Sequence, residues 1–580
     1  MSNISFKPFV VIDSKSALES FFVIFDSGVN HFSVQYLSSQ TWIFTMFSDT
    51  DTIEQFELCL NKTELADTWN NYFEKKNKNS VFTFDLKELY KSFVQNDLIC
   101  PAGILDIMLA GFIQNSNLSF ELYIQSQRNL DPEFVQSLRS EFNLDDLTNK
   151  TQFESILNLK LGLFYKSELT EKLLYLWQNI ESPLAVILAK MEIKGVYIDK
   201  DKLEIVSSEL ESSAIELQKE VLLLLDSPNL NLNSPAQLGK VLIEKGFKLK
   251  TSASGKVSTD RAVLEELELT DATGVIAKIL EYRTLSKLFS TYTDSFLKLL
   301  DKNSRIHGIY NQVQAATGRL SSNNPNLQNI PIRNPKYGPL IRSTFAAPKN
   351  RCIIAADYSQ MELRLLAHYC QDPVLLDAFA KNQDIHARTS AEIFEIPLQE
   401  ITREQRRIGK TLNFALLYQQ GGQATAKQLG IKTKEATAFI EKYFNRFSKV
   451  KPFIEEVLSK ARIDGYVETF FGRRRYFENL NSENLFLRKI DERAAFNSVL
   501  QGSNADLIKL AMINLDQSLS DKKLDAFVVL QVHDELVLET SIDSVDKVKS
   551  QLIKEMEVNQ VLNVPIVVEA GIGNDWAEAK

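Results

Sequence analysis

The sequence predicts a multidomain protein of the α/β and α+β classes, with an α/β domain ahead of a larger mixed domain. Its 580 residues suffice for several domains, since one domain takes about 150 residues. Residues 1–178 alternate short aromatic and β-branched runs with helical stretches, as α/β domains do. From Ser182 the pattern changes to long amphipathic helices, and from residue 305 helices and strands mix again.

The elements follow from local patterns along the chain. Three segments rich in aromatic and β-branched residues predict strands in the first region: "FFVIFDSGVNHFSVQYL", "TWIFTMF" and "SVFTF". The stretch "SPLAVILAKMEIKGVYIDKDKLEIVSSELESSAIELQKEVLLLLDS" predicts a long amphipathic helical segment with a Ser-Pro start. "NLNSPAQLGKVL" predicts another capped helix, "TSASGKVSTD" a polar loop, and "VIAKILEYRTLSKLFSTYTDSFLKLL" further helices.

Composition is that of a soluble globular protein, with 44% hydrophobic and 24% charged residues. No run of 18 apolar residues occurs, and "MSNISFKPFV" lacks the features of a signal peptide. We therefore expect neither a membrane span nor a secretory signal. The four cysteines lack metal-ligand spacing and predict reduced, buried thiols in a cytosolic protein: Cys59, Cys100, Cys352 and Cys370.

The net charge of −9 is unevenly distributed. Residues 1–178 carry 14 Lys and Arg against 23 Asp and Glu, whereas residues 179–580 carry 52 of each. A neutral region that also holds an acidic site must have compensating basic surface. Local basic patches decide phosphate binding, so the acidic total does not exclude a nucleic-acid partner.

Two apolar stretches carry acids where a core strand is expected. "CIIAADYSQMELRLLAHY" predicts a strand that ends at Asp357 and a helix from Ser359, and "VVLQVHDELVLE" predicts a core hairpin with Asp534 and Glu535 in its middle. Unpaired buried carboxylates cost on the order of several kcal/mol, so they need a partner or a metal. If Asp357 and Asp534 converge, they suit Mg²⁺. The alternatives are a solvent-facing edge hairpin and, for Glu362, a Ser359-x-x-Glu362 capping box.

The segment "REQRRIGKTLNFALLY" places Arg406, Lys410, Phe414 and Tyr418 four residues apart, on one face of a helix. Two cations followed by two aromatic rings suit a ligand with a polyphosphate at one end and a flat base at the other. The alternative is a solvated helix whose second half packs. His386 adds a possible phosphate donor, although a lone histidine is more often structural.

Three polar segments complete the pattern. "TGRLSSNNPNLQNIPIR" offers amides, hydroxyls and Arg319, and "ERAAFNSVLQGSNAD" places Arg493, Asn497 and Gln501 on one helical stripe. "GRRRY", residues 472–476, predicts a further basic patch.

Taken in order, these segments resemble the family A DNA polymerases of the bacterial DNA polymerase I type. "DYSQMELR" resembles motif A, "RRIGKTLNFALLY" motif B and "QVHDE" motif C, and "VPIVVEAGIGNDWAEA" matches the family's ending. The resemblance runs from about residue 182 to the last residue. It implies a Klenow-like large fragment without the 5′ nuclease domain.

The resemblance also implies a domain plan. Residues 1–178 would form a 3′–5′ exonuclease-like domain of the DnaQ and RNase H-like type. Residues 179–580 would form a right-hand polymerase domain. Its thumb would take about 200–300, its palm about 305–375 and 490–580, and its fingers about 376–489.

The implied activity is template-directed, DNA-dependent addition of dNTPs to a primer 3′-hydroxyl, in DNA replication and repair. Two Mg²⁺ ions, with Mn²⁺ as a substitute, would be held by Asp357, Asp534 and the carbonyl of Tyr358. Glu535 would support that site, and Lys410 would be a proton donor to pyrophosphate.

The remaining implied roles concern substrates. Glu362 would select deoxynucleotides by blocking a ribose 2′-hydroxyl. The full set of residues implied to contact the dNTP is Arg406, Lys410, His386, Phe414, Tyr418, Gln360 and Glu362. The full set implied to contact DNA is Arg319, Asn329, Arg493, Asn497, Gln501 and His533, with Arg493 on the template and His533 on a primer phosphate. The expected partners are primer–template DNA and dNTPs, for a monomer without membrane contact in the cytoplasm, nucleoid-associated in a bacterium.

The sequence departs from the family pattern in two places. Motif B has Gln419 where the family has glycine directly after the tyrosine. In the first domain, residues 1–60 contain no Asp-x-Glu, and Asp49-Thr-Asp51 is the nearest match. The second exonuclease motif keeps only Asp85, and the third has Leu169 where an acid should follow Tyr165.

We therefore expect an inactive exonuclease domain and interpret Asp106 as structural. The alternatives are a proofreading polymerase, a DNA-binding protein without catalysis, and a single-subunit RNA polymerase.

Overall fold

The computed structural model describes most of the chain. The described residues are 5–7, 9–26, 31–38, 41–47, 52–60, 63–73, 77–117, 130, 132, 135–136, 139, 146–249, 257–331, 334–557 and 562–580. The Asp49-Thr-Asp51 segment lies outside them, as do residues 332–333 of the "PNLQNIPIR" segment.

A mixed sheet organises the first region. Its described strands are β1 (Ser5–Phe6), β2 (Val10–Ile12), β3 (Phe32–Ser38), β4 (Thr41–Phe47), β5 (Thr52–Cys59), β6 (Asn77–Thr83) and β7 (Ala102–Asp106). The order is β1-β5-β4-β3-β6-β7, with β2 also on β5. Strands β3, β4 and β5 pair antiparallel, whereas β6 runs parallel to β3 and β7. The described helices are Lys15–Asp26, Thr63–Phe73, Leu86–Gln95, Ile107–Gln114, Leu147–Glu168 and Glu171–Tyr175, followed by a π-helical segment, Leu176–Glu181.

Aromatic side chains fill the space between this sheet and its helices. Trp42 of β4 and Trp69 are fully buried, and each stacks on Phe93, with ring centroids 4.6 Å and 5.7 Å apart. This core continues as far as Ala185. The mixed α/β structure predicted for this region is confirmed, and its core extends slightly beyond residue 178.

A helical region follows. It consists of Ser182–Lys194, β8 (Val196–Tyr197), Lys200–Leu224, Pro235–Glu244, Arg261–Glu268, Val275–Leu288, a π-helical segment Phe289–Thr293, and Asp294–Leu299. The prediction of one long helical segment from Ser182 is wrong, because the chain breaks at Gly195. That residue has φ +65°, and a Cβ atom there would lie 2.8 Å from the ring of His307.

A second sheet, with four antiparallel strands, lies in the part of the chain after the helical region. Its order is β15 (Ala526–Val532), β16 (Glu535–Ser541), β12 (Arg351–Tyr358), β17 (Val568–Gly573). The central strands β12 and β16 are buried along most of their length because both of their faces are covered. The described residues also contain the antiparallel pairs β8 with β9 (Arg305–Ile306), β10 (Ile309–Asn311) with β11 (Ser321–Asn323), and β13 (Tyr466–Glu468) with β14 (Arg474–Tyr476).

The other described helices surround that sheet. They are Tyr337–Arg342, Met361–Cys370, Pro373–Ala380, Ile385–Phe394, Arg403–Leu417, Gly422–Leu429, Thr433–Arg446, Val450–Asp464, Leu485–Asp521 and Val545–Met556, with 3-10 turns at Leu327–Asn329, Leu398–Glu400 and Ile542–Ser544. None of the helices in the described ranges is both long enough and apolar enough to cross a membrane. All four cysteines are free thiols; Cys352 and Cys370 are buried, whereas Cys59 and Cys100 are half-buried.

A buried ionic cluster joins the first region to the long helix Leu485–Asp521. Glu181, Arg473, Asp506 and Lys509 are all at most 3% exposed. The Lys509 ammonium donates to Glu181 at 2.6 Å, and the Arg473 guanidinium contacts both Glu181 and Asp506. Burial alone would raise the pKa of Glu181, but Lys509 and Arg473 lower it to about 2. The two negative and two positive charges of the cluster therefore sum to zero.

We predict that Lys509→Met destabilises the chain by about 3–5 kcal/mol, because it leaves two buried carboxylates, Glu181 and Asp506, with Arg473 as their shared counter-charge. Denaturant unfolding of the full chain, followed by tryptophan fluorescence, measures this. Lys298→Met is the control, since Lys298 is exposed and its ion pair with Asp294 lies within one helix at the surface; it should change stability by less than about 0.5 kcal/mol. Equal effects of the two substitutions would contradict the role of the cluster.

Candidate active site

The two sequence-predicted acids lie side by side on the second sheet. Asp357 of β12 pairs in register with Glu535 of β16, and the backbone N–H of Tyr358 donates to the carbonyl of Asp534 at 3.2 Å. Strand β12 extends to Tyr358, so Asp357 lies inside the strand and does not end it. Asp534 lies in the two-residue turn between β15 and β16, where His533 has φ +56°. We call Asp357, Asp534 and Glu535 the acidic floor.

Glu535 is the buried member of the acidic floor. It is 3% exposed, its Oε1 accepts from the Trp576 indole at 2.7 Å, and its Oε2 accepts from Lys580 at 2.6 Å. A solvent-facing hairpin is therefore wrong for Glu535. Asp534 is half-buried and accepts from the Asn504 amide at 2.7 Å.

The acidic floor offers oxygen ligands only. Burial raises the pKa of Asp357 to about 6; Lys580 acts against this, and Glu535 and Asp534 add to it. These carboxylates are therefore close enough to repel one another, and a cation would relieve that repulsion. Within the described ranges, no three His, Cys, Asp or Glu side chains form a ready-made metal cage. One or two carboxylates completed by water and substrate phosphates are what Mg²⁺ prefers, so the floor fits that ion.

Glu362 and Tyr418 lie next to the floor. Arg319 donates to Glu362 at 2.8 Å. Burial raises the pKa of Tyr418, and Glu362 and Asp534 raise it further, while Arg319 and a hydrogen bond with Gln501 lower it. The capping-box alternative for Glu362 is wrong. The helix begins at Met361 after Gln360, which has φ +55° and makes no side-chain cap.

The helix Arg403–Leu417 carries the predicted stripe of two cations and two aromatic rings, which runs from the solvent-exposed end of the helix to Tyr418 beside Glu362. Arg406 donates to Asp384 at 2.7 Å. Lys410 is exposed and has no carboxylate partner among the described side chains. Phe414 is 39% exposed, and Tyr418 caps the helix. The alternative of a packed second half is wrong for Phe414, because that ring stays accessible.

His386 is placed beside the stripe but is more enclosed than the sequence suggests. It is 4% exposed, its Nδ1 lies 3.0 Å from the Asn413 amide, and its ring centroid lies 5.8 Å from that of Phe414. Burial lowers the pKa of His386 to about 4, although Asp384 opposes this. The ring is therefore neutral near pH 7, so it can offer a hydrogen bond to a phosphate but no positive charge.

The DNA-contact candidates line open surface. Asn329 and His533 face a groove of about 780 Å³ whose opposite wall is the helix Val275–Leu288. Among residues 495–509 of the long helix, only Asn497 and Gln501 are not buried, and Arg493 one turn earlier is exposed. These three residues form one accessible stripe.

The "GRRRY" segment is not a basic patch. Arg473 belongs to the buried ionic cluster, Arg474 pairs with Glu468 at 3.5 Å, and Arg475 donates to Ser498 at 2.9 Å. All three guanidinium groups therefore contact other residues of this protein.

In the first domain, Asp85 of the second exonuclease motif lies close to Asp106, and both line one pocket. Tyr165 and Leu169 are 1% and 5% exposed and pack in the first core. Asp106 accepts from the backbone N–H groups of Leu86 and Met108 at 2.7 Å and 2.8 Å, as a helix cap does. Burial raises the pKa of Asp106 to about 7, and Asp85 adds to this.

Sequence reasoning missed three residues that contact the floor: Asn504, Trp576 and Lys580. Asn504 lies three residues after Gln501, so helical spacing could have found it. Trp576 and Lys580 lie in the segment that matched the family's ending, but no local pattern links them to acids that are far away in sequence.

Comparison with known proteins gives consistent matches. The model of DNA polymerase family A matches residues 200–578. DNA polymerase I of Pseudomonas aeruginosa is 44% identical over 426 residues, which cover 73% of this chain and 46% of the relative. DNA polymerase I of Borreliella burgdorferi is 36% identical over 533 residues, which cover 90% of this chain and 58% of the relative. The chain thus spans about half the length of the curated relatives it matches.

A solved structure covers nearly the whole chain. The POL domain of Pol1 from M. smegmatis, in complex with DNA primer–template and dNTP, superposes with a TM-score of 0.87 at 29% identity. The match covers 99% of this chain and 100% of that one.

The raised pKa of Asp357 gives a testable pH dependence. Only the ionised carboxylate binds a cation, so the half-saturating Mn²⁺ concentration should rise below about pH 6 and approach about ten-fold per pH unit. Between pH 7 and 8 it should stay nearly constant. Titration of the full chain without DNA, followed by the EPR signal of free Mn²⁺, measures this. Unchanged affinity from pH 5 to 8 would show that Asp357 is not a ligand.

Proposed function

The chain belongs to DNA polymerase family A, and from that premise we propose that it is a template-directed DNA polymerase that adds dNTPs to a primer 3′-hydroxyl. The resemblance drawn from its motifs is thereby confirmed at the level of the family. One observation carries the proposal: the helix with Arg406 and Lys410 is capped by Tyr418, which lies close enough to Glu362 and Asp534 for both carboxylates to raise its pKa. A phosphate-binding stripe thus leads directly to a candidate metal site.

The right-hand plan is part of the proposal. The four-stranded sheet would be the palm, the helices from Lys200–Leu224 to Asp294–Leu299 the thumb, and residues 376–489 the fingers. The groove between the helix Val275–Leu288 and Asn329 supports this plan because basic side chains on its thumb wall, Arg261, Arg283 and Lys287, can bind a DNA backbone. Residues 1–178 would be the exonuclease-like domain.

The chemistry would use two Mg²⁺ ions, which activate the 3′-hydroxyl and neutralise the leaving pyrophosphate when bound. Asp357, Asp534 and the Tyr358 carbonyl would hold them. Arg406 and Lys410 would bind the triphosphate by charge-assisted hydrogen bonds, and Lys410 would protonate the leaving pyrophosphate. His386 would donate a neutral hydrogen bond, since burial keeps it uncharged.

Selection of the nucleotide would depend on the group around Glu362. Phe414 would stack near the incoming sugar and base, and Tyr418 with Glu362 would close the insertion site, with Gln360 beside it. Glu362 is held by Arg319 and is mostly buried, so its carboxylate cannot swing away from a ribose 2′-hydroxyl without breaking that ion pair.

Contacts to DNA would come from the accessible stripe and the groove. Asn497, Gln501 and Arg319 would contact minor-groove acceptors, which all correct base pairs present in similar positions. Arg493 would hold the template, and His533 a primer phosphate. We also propose that the protein acts as a monomer in the bacterial cytoplasm, in replication and repair; the bacterial DNA polymerase I relatives support the bacterial setting and the role in DNA synthesis.

We propose further that the first domain does not proofread. Two-metal hydrolysis needs several carboxylates around ions about 4 Å apart. Leu169 cannot bind a metal, and Asp106 already accepts backbone hydrogen bonds. The domain's surplus of acids also gives no attraction for a single-stranded end.

The first test concerns the acidic floor. Asp357→Ala and Asp534→Ala should each reduce nucleotide addition at least about thousand-fold, a loss of about 4 kcal/mol, while duplex affinity changes little. Single-turnover primer extension and a DNA-binding titration measure the two quantities. Asp543→Ala is the control, because this exposed acid lies beyond the far end of β16. Near-parental extension by either variant at the floor would refute the site.

The second test concerns Glu362. Glu362→Ala should relax discrimination against ribonucleotides by at least about ten-fold, or about 1.4 kcal/mol, because it removes the side chain that fills the space of the 2′-hydroxyl. Glu362→Gln is the matched control, since it keeps the volume but loses the charge. If Glu362→Gln relaxed selectivity as much as Glu362→Ala, charge and not size would be responsible.

The third test concerns proofreading. A labelled, mismatched primer–template incubated with Mg²⁺ and no dNTPs should stay intact. Removal of the mismatched nucleotide that is lost in Asp85→Ala and kept in Asp357→Ala would show that the first domain is active.

A further inference from the structure

The segment after β17 is packed tightly against the sheet of the acidic floor. A Cβ atom at Gly571 would overlap the backbone of Ala579, so only glycine allows this approach. Trp576 is 0% exposed, and its backbone N–H donates to the carbonyl of Phe345 at 2.9 Å. This packing fixes where the side chain of Lys580 begins.

Lys580 reaches two members of the acidic floor. Its Nζ lies 2.6 Å from Oε2 of Glu535 and 3.5 Å from Oδ2 of Asp357. Both oxygens of Glu535 are engaged, since Trp576 donates to the other one. Asp357 keeps 43% of its side chain exposed and makes the longer contact. The two contacts of Lys580 are thus unequal, and the one to Asp357 is the weaker.

Building on the proposed function, we propose that Lys580 is a positioning residue of the metal site. Its ammonium group is the lasting counter-ion of Glu535 and competes with the divalent cation for Asp357. A cation held by Asp357 would replace only the 3.5 Å contact of Lys580, whose 2.6 Å contact to Glu535 would remain. Glu535 is then a neutralised support, and Asp357 and Asp534 are the direct ligands.

Electrostatics sets the size of the expected effect. A cation bound about 2.1 Å from the Asp357 carboxylate would lie within about 6 Å of the ammonium group. Repulsion between a unit charge and a double charge at that distance corresponds to about ten-fold in affinity, even with the dielectric constant of water. Removing the ammonium group should therefore tighten cation binding. A merely structural role for Lys580 would leave it unchanged or weaken it.

The test is an Mn²⁺ titration of the full chain at pH 8.0, without DNA or nucleotide, followed by the EPR signal of free Mn²⁺. Lys580→Met should bind Mn²⁺ about five- to ten-fold more tightly than the parent. Lys580→Arg keeps the charge and should stay within about two-fold of the parent. Lys298→Met, which removes a remote exposed lysine, should not change the affinity.

The outcomes separate this inference from the proposed function. If the parent shows no Mn²⁺ binding that Asp357→Asn abolishes, the metal site itself is wrong. If the parent binds and Lys580→Met binds equally or more weakly at an unchanged Tm, the role of Lys580 is overturned and the site stands. If Lys580→Met lowers the Tm, Lys580→Gln is judged by the same criterion.

Discussion

The buried ionic cluster of Glu181, Arg473, Asp506 and Lys509 is the interaction on which the arrangement of the site depends. It joins the end of the first region, the turn between β13 and β14, and the middle of the long helix Leu485–Asp521. A Cβ atom at Gly318 would overlap the Arg473 guanidinium, so the loop that carries Arg319 is seated directly on the cluster.

The same helix turns its other residues toward the acidic floor. The cluster uses Asp506 and Lys509, and Asn504 in the same stretch donates to Asp534. Since an α-helix is rigid over two turns, fixing the cluster also fixes where Asn504 and Gln501 lie. Loss of one charge from the cluster would therefore also shift Asn504 and Gln501 relative to the acidic floor.

Local spacing predicted the parts of the site that lie within one element. The stripe from Arg406 to Tyr418 depends only on helical periodicity. Asp357 and Asp534 are conspicuous in the sequence because a carboxylate within an apolar strand is costly to bury unless a partner or a metal compensates it. The ionic cluster could not be predicted, because Arg473 and Lys509 lie 292 and 328 positions from Glu181. For the same reason "GRRRY" was misinterpreted: a run of arginines does not reveal whether partners exist elsewhere in the fold.

The first domain makes ion pairs with the helix that follows it, and these pairs do not depend on catalysis in that domain. Lys87 and Lys91 both pair with Glu192, which is 3% exposed and lies in the helix Ser182–Lys194. Lys87 also donates to the carbonyl of Tyr310 at 2.6 Å. Removing the domain would break both ion pairs of Glu192. The first domain is therefore one side of an interface with the helix Ser182–Lys194, and that role does not depend on whether the domain is catalytic.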